Sequence, residues 1–150
     1  MSMEAFTIFI NAAPEQIFPF IGEIPRHREW ATDRLEFESL STGPICVGSE
    51  YRSTSHFMGT IIMAELKVKD YLPPQRFSFT VKDRTGQYEH IFTLKPQEGG
   101  TLVIREVHSV DTPFSRMIHA MLLPILIKPE GNKAFRKLKE KVEHEYRKSG

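Results

Sequence analysis

The middle of the chain, from Leu35 to Val110, alternates short apolar and polar runs with turns rich in glycine and proline. A period of two is typical of half-buried strands, and closely spaced Gly and Pro turns are typical of hairpins between antiparallel neighbours. An antiparallel sheet of this length has one apolar face that another element must cover. The pattern predicts six successive strands, at Leu35–Ser41, Ser49–Phe57, Ile61–Tyr71, Arg76–Lys82, Tyr88–Pro96 and Thr101–Val110.

The segment before these strands predicts one more strand and two short helices. Phe6, Ile8 and Ile10 alternate with other residues and indicate a first strand. Helices are predicted at Pro14–Ile21 and Ile24–Trp30, each with a proline in its first turn, where the missing backbone donor is not needed. The sheet is therefore expected to have seven strands, with both short helices between the first and the second.

The segment after the strands has a helical period and predicts the cover for the sheet. Pro124 and Pro129 are expected to bend or break this long C-terminal helix. One helix is too narrow to fill a curved sheet, so we expect an α+β fold with a cavity between the sheet and the helix. The predicted apolar stripe contains Phe114, Met117, Met121, Leu122, Ile125, Phe135, Leu138, Val142 and Tyr146.

Composition narrows the class of protein. A chain of 150 residues with a formal charge of +1 predicts a single domain, residues 1–150, and argues against nucleic acid as a partner. Cys46 is the only cysteine, so no internal disulfide is expected. The N-terminus lacks the pattern of a signal peptide, and the apolar stretch Met117–Ile127 is too short to span a bilayer. These features predict a cytoplasmic location.

Six short motifs follow one another along nearly the whole chain. They are Ala13-Pro-Glu-Gln-Ile-Phe18, Pro25-Arg-His-Arg-Glu-Trp30, Val47-Gly-Ser-Glu-Tyr51, Leu72-Pro-Pro-Gln-Arg-Phe77, the turn Gly99-Gly-Thr-Leu102, and the closing run from Phe135 to Glu143. In type and order these motifs resemble the START-related, birch-pollen-allergen-like superfamily, in its polyketide cyclase/dehydrase-like branch.

The resemblance implies a helix-grip fold with an internal pocket. The superfamily includes lipid or hormone carriers, quinone-associated proteins and cyclases or dehydratases, and it has no universal catalytic motif. The chain lacks the tryptophan-phenylalanine-glycine run typical of the chaperone-activator relatives, which argues against that branch. Fold analogy alone does not identify a ligand.

Strand parity predicts which side chains of the last hairpin face the cavity. The apolar members of the shared face require burial, so the polar members are expected at the far end of the same face. The predicted register pairs Leu94 with Leu102, Phe92 with Ile104, His90 with Glu106 and Tyr88 with His108.

This register makes His90 and Glu106 the candidate catalytic residues, an acid–base pair, with Tyr88 and His108 orienting a carbonyl or hydroxyl group. The alternative interpretation is a buried hydrogen-bonded pair without turnover. The residues expected to contact a ligand are Trp30, Tyr51, Phe57, Phe79, Tyr88, His90, Phe92, Ile104, Glu106, His108, Met117 and Met121.

Other partners receive less support from the sequence. His56, His90, His108 and Glu106 would have to converge to hold a metal, but no metal-binding spacing is present, so neither a metal nor a cofactor is expected. Arg26, His27, Arg28 and the basic C-terminal residues suggest a transient membrane-surface contact as one alternative, and a solvated surface as the other. The chain is expected to be a monomer or a homodimer.

Two functional hypotheses remain open at this point. The first is a protein that binds or carries a small hydrophobic or amphipathic molecule such as a lipid, isoprenoid, quinone or polyketide-like aromatic. The second is a cyclase, dehydratase or isomerase that uses the His90–Glu106 pair. A third and weaker hypothesis is a module that binds a peptide in the groove between the sheet and the helix.

Overall fold

A single antiparallel sheet organises the computed structural model of the protein, which describes residues 2–32, 34–57, 59–84, 86–110 and 128–149. Across the sheet the strands follow the order β1-β7-β6-β5-β4-β3-β2, so β1 pairs with the last strand and the others form a meander. This arrangement confirms the predicted seven-stranded curved sheet. The strands are β1 (Ser2–Ile10), β2 (Arg34–Ser39), β3 (Glu50–Phe57), β4 (Thr60–Leu72), β5 (Arg76–Asp83), β6 (Gly86–Gln97) and β7 (Gly100–Val110).

Two short helices connect β1 to β2, as predicted. Helix α1 (Pro14–Gly22) begins where the Gln16 side-chain oxygen accepts a hydrogen bond from the Ala13 N–H at 2.9 Å, which satisfies a donor that the helix itself cannot pair. A 3-10 helix (Ile24–Glu29) follows. The Trp30 ring N–H donates to the Phe20 carbonyl at 2.9 Å, and this bond ties the end of the second helix to the first.

The C-terminal helix α2 (Lys128–Ser149) covers the concave face along β1. Pro129 lies in the first described turn of α2. Pro124 and the residues that precede Lys128 lie outside the described residues, so the predicted bend or break stays a prediction. The part of the predicted stripe from Phe114 to Ile125 lies outside the described residues. No helix in the described ranges is both long and apolar enough to cross a bilayer. The buried stripe of α2 consists of Ala134, Phe135, Leu138 and Val142.

The start of α2 approaches the sheet closely because it carries a glycine. A β-carbon at Gly131 would overlap the ring of Phe6 on β1, so no larger side chain fits without a shift. Phe6 and Phe135 then meet edge to face, with ring centroids 6.5 Å apart. Burial of each such side chain contributes about 1.5–3 kcal/mol to folding, so this contact anchors the helix on the sheet.

The β6–β7 hairpin has a register one residue away from the predicted one, and the prediction was wrong here. Gln97 pairs with Gly100, which leaves a two-residue loop in which Gly99 has a φ of +82°. Such tight loops favour glycine because a side chain is strained at positive φ. A slip of one residue moves every side chain of a strand to the other face. The observed pairs are Leu94 with Val103, Phe92 with Arg105, His90 with Val107 and Tyr88 with Ser109.

Candidate functional site

A cavity of about 420 Å³ lies between the concave face of the sheet, the 3-10 helix and the first turns of α2. This volume is in the range of roughly 300–1,000 Å³ that is typical of small-molecule sites. Every strand of the sheet contributes to its wall. The described lining residues are Glu4, Phe6, His27, Trp30, Ala31, Thr32, Leu35, Phe37, Ser53, Ser55, Ile62, Ala64, Leu66, Phe79, Val81, Asp83, Tyr88, His90, Arg105, Val107, Ser109, Glu130, Gly131 and Ala134.

Aromatic rings form one wall of the cavity. Trp30 is 2% exposed and meets Phe92 edge to face, with centroids 6.1 Å apart. Phe79 stacks flat on His90, with centroids 5.0 Å apart and an interplanar angle of 3°. Because these rings are held by packing and by the Trp30 hydrogen bond, they offer a preformed surface for the apolar part of a ligand.

His90 is a neutral hydrogen-bonding group in this wall. Burial, the charge of Arg105 and the neighbouring His27 lower its pKa well below the ordinary value of 6.5. The Arg105 Nη2–H donates to His90 Nδ1 at 2.8 Å. Since Nδ1 accepts this bond, the proton of the neutral imidazole is on Nε2. His90 therefore has a donor on its second nitrogen.

Arg105 places a partly buried cation in the cavity wall. Desolvation lowers the pKa of Arg105 to about 10, and the charge of Glu4 opposes that shift, so the guanidinium is charged at neutral pH. The guanidinium carbon lies 5.3 Å from the centroid of the Phe92 ring, within range of a cation–π interaction. The buried Nε–H has no hydrogen-bond partner among the described residues.

His27 is the second neutral histidine of the site. Its Nε2–H donates to the Ile21 carbonyl at 2.6 Å, which leaves Nδ1 without a proton. Burial lowers the pKa of His27 to about 4. The sequence pattern predicted that His27 lies on a basic surface with Arg26 and Arg28. This prediction was wrong for His27, because its side chain is buried among aromatic rings.

Small polar residues form the wall opposite the aromatic rings. Ser53 and Ser55 on β3 face inward beside Ala64 on β4. Ser109 on β7 lies opposite Tyr88 on β6. Small side chains at these positions leave the room that larger residues would fill, so they set the size of the cavity.

The structure brings four of the predicted ligand contacts to the cavity wall: Trp30, Phe79, Tyr88 and His90. Tyr51 and Phe92 are buried in the core beside it. Their roles in binding remain predictions. The side chains of Phe57, Met117 and Met121 lie outside the part of the chain that the structure describes.

The predicted acid–base pair does not form. Because of the observed register, Ile104, Glu106 and His108 lie on the convex face, whereas His90 lies on the concave face. Glu106 pairs across the hairpin with Ile91, and its Oε1 lies 3.8 Å from Nε2 of His108. The placement of Ile104, Glu106 and His108 in the cavity was wrong.

The same register separates the residues of the alternative metal site. His90 lies on the concave face and His108 on the convex face. Within the described ranges, no three His, Cys, Asp or Glu residues come together in a way that would hold a metal ion.

Sequence reasoning missed Glu4, His27 and Arg105. The inward position of Glu4 could have been predicted, because the alternation that turns Phe6 and Ile10 inward extends back along β1 to residue 4. Arg105 required the correct hairpin register. The burial of His27 depends on contacts between elements that are distant in sequence, and no local pattern indicates it.

Comparisons with known proteins agree with this fold. A solved structure of TTHA0849 from Thermus thermophilus superposes with a TM-score of 0.76 at 16% identity, over 95% of this chain and 98% of that one. A protein from Rhodobacter sphaeroides gives a TM-score of 0.73 at 21% identity, over 95% of this chain and 93% of that one. The protein of unknown function SA2116 from Staphylococcus aureus gives 0.74 at 13% identity, over 97% and 96%.

These structures share the fold, and at such identities they carry no argument about function. No match is found among curated proteins. A model of the family described as polyketide cyclase/dehydrase and lipid transport matches residues 5–143, which include the sheet, both short helices and most of α2. The chain therefore belongs to the polyketide cyclase/dehydrase and lipid transport family, within the START-related superfamily.

Proposed function

We propose that this protein binds a small amphipathic molecule in the cavity between the sheet and α2. The observation that carries the proposal is a cavity of about 420 Å³ that combines aromatic walls with the guanidinium of Arg105. An apolar wall provides binding energy through burial, and a few fixed polar groups orient the ligand. Membership of a family whose description includes lipid transport supports the same function.

The inward-facing side chains favour a ligand-binding space over a core that is simply loosely packed. Ser53, Ser55 and Ala64 are small, and the first two are polar, although they face the interior of a sheet. A core selected only for stability would place larger apolar residues there, since unfilled volume costs free energy. Small residues at these positions therefore fit a protein in which the interior is less closely packed so that a ligand can bind.

Trp30 provides a direct test of binding. It is the only tryptophan of the chain and it lines the cavity, so its fluorescence reports on this site alone. Titration of ligand-free protein with a panel of fatty acids, isoprenoids, quinones and polycyclic aromatics should change the emission saturably for at least one class. Native mass spectrometry of the complex should show one ligand per chain. A panel without a saturable response would contradict the proposal.

A matched pair of variants locates the binding. Ser55→Phe places a ring in the cavity, whereas Thr54→Phe adds the same ring on the opposite face of the same strand. We expect Ser55→Phe to weaken binding by at least roughly 10-fold and Thr54→Phe to leave it unchanged. Equal effects of the two substitutions would place the ligand elsewhere.

The enzymatic hypothesis depends on a catalytic pair that does not form. It required His90 and Glu106 to face each other, and they lie on opposite faces of the sheet. No other contact among the described residues of the cavity favours turnover, so binding is the function we propose.

A further inference from the structure

The partly buried guanidinium of Arg105 is the feature of the cavity that ligand binding in general leaves unexplained. Arg105 lies on β7, between Phe6 of β1 and Phe92 of β6, which are 5% and 0% exposed. A cation in such surroundings has lost part of its hydration. It is stable only where hydrogen bonds and opposite charges replace that water.

The protein itself replaces this hydration only in part. One N–H of Arg105 donates to His90, which is a neutral acceptor, and the face of the Phe92 ring lies beneath the cation. Glu4, two pairs further along β1 and β7, stabilises the charge electrostatically. The Nε–H is buried and has no partner in the described part of the chain. The cavity wall therefore holds a cation whose hydrogen-bonding capacity the described residues use only in part.

This further inference rests on the proposed function. We propose that the ligand is an acid, whose oxyanion pairs with the guanidinium of Arg105 while its apolar body lies against Trp30 and Phe79. Hydrogen bonds between a guanidinium and a carboxylate are among the strongest in proteins, and exclusion of water strengthens them further. His90 also favours a ligand group that accepts hydrogen bonds, because its Nε2–H, which does not contact Arg105, is a donor.

Arg105 and the acidic residues of the cavity act in opposite directions on a charged ligand. An amine beside Arg105 would be repelled by it, and an alcohol would gain only a weaker hydrogen bond to it. Glu4, Asp83 and Glu130 line the same cavity, and of these Glu4 acts electrostatically on Arg105. The charge of Glu4 should weaken the binding of an acid and leave the binding of a neutral ligand with the same body almost unchanged.

The test uses two pairs of probes that differ only in the head group. They are dodecanoate with dodecan-1-ol, and 1-naphthoate with 1-naphthalenemethanol. Dissociation constants are measured at pH 7.5 from Trp30 fluorescence and by calorimetry. In the wild-type protein we expect at least one acid to bind roughly 10- to 100-fold more tightly than its alcohol, which is the range of a charge-assisted hydrogen bond.

Three variants assign this preference to Arg105. Arg105→Gln should abolish the preference for the acid and leave binding of the alcohol within a few-fold. Glu4→Gln should strengthen binding of the acid alone. Arg136→Gln removes an exposed positive charge from α2 and serves as the matched control, with no expected change. A preference that persists at 0.5 M salt would further separate the cation of the cavity wall from the surface lysines.

The outcomes distinguish the two proposals. If none of the four probes binds, the proposed function is contradicted together with the inference. If acid and alcohol bind equally to the wild type, or if Arg136→Gln removes the preference as fully as Arg105→Gln, only the inference is overturned. If Arg105→Gln fails to fold, as judged by circular dichroism, the wild-type preference and the Glu4→Gln response decide the question.

Discussion

The interior between the concave face of the sheet and α2 has two halves that differ in packing. The packed half, defined as Ile10, Phe77, Leu94, Val103 and Leu138, contains side chains that are at most 3% exposed. The other half, which we call the open half, lines the cavity and is defined as Ser53, Ser55, Val81, Tyr88 and Ser109.

Strands β5, β6 and β7 contribute to both halves, so the difference along them lies in the residues and not in the backbone. Along β6 the inward residues change from Leu94 to Tyr88, and along β7 from Val103 to Ser109. Large apolar side chains at one end provide stability, and smaller or polar ones at the other end leave space. The comparison indicates that close packing and open volume lie at different ends of one sheet.

The largest expected difference between the halves is in the cost of deleting a leucine. Leu138→Ala in the packed half should lower the free energy of unfolding by about 2–5 kcal/mol, because a cavity is created in close-packed surroundings. Leu35→Ala at the cavity wall should cost about 1 kcal/mol or less, since its side chain is only partly buried. Urea unfolding of ligand-free protein measures both values. Equal losses would remove the distinction between the halves.

The pH dependence of the free energy of unfolding tests whether His27, which lies at the boundary between the halves, is buried in its neutral form. Burial lowers the pKa of His27 from 6.5 to about 4 in the folded protein, so the unfolded chain binds the proton more tightly. The contribution of His27 is complete above about pH 6.5 and is lost as the pH falls towards 4. We expect a loss of roughly 2–3 kcal/mol between pH 7.5 and pH 4.5 from this residue.

His90 adds to the loss in the same direction, because its pKa is also lowered. The variant His27→Gln keeps an N–H that can donate to the Ile21 carbonyl and does not titrate in this range. Urea midpoints at the two pH values should therefore differ less in the variant than in the wild type. An unchanged pH dependence would indicate that His27 is not held neutral.

The smallest effect should come from filling the open half. Ala64→Ile adds apolar volume next to the cavity, and we expect it to raise the free energy of unfolding by about 0.5–2 kcal/mol while it weakens ligand binding. Glu65→Ile, on the opposite face of β4, controls for the intrinsic strand preference of isoleucine. If both substitutions stabilise equally, the gain comes from strand preference and not from unfilled space.

Much of the fold could be predicted from sequence because its signals are local. Turns marked by Gly and Pro separate the strands, and the alternation of Phe6, Ile8 and Ile10 identifies β1. Prolines at residues 14 and 25 mark the beginnings of the two short helices. Each of these features depends on the preferences of a few neighbouring residues.

The candidate site was predicted less well because its geometry depends on one hairpin register. Both faces of β7 carry apolar residues, with Val103 and Val107 on one face and Leu102 and Ile104 on the other. Burial preference alone therefore does not determine which face turns inward. The conformation of the loop at Gly99 makes that choice, and it placed Arg105 where Glu106 had been expected.

The loop Glu98–Gly99 consequently controls the chemistry of the interior without contacting a ligand. A hairpin one residue longer or shorter, with β6 held in place, would direct Glu106 and His108 towards the guest and turn Arg105 to solvent. A change in the length of this loop would therefore exchange a guanidinium for a carboxylate in the cavity wall with no substitution in any strand. The chemistry of the cavity wall can therefore be altered in two ways, by replacement of single side chains or by a change of one residue in the length of a turn.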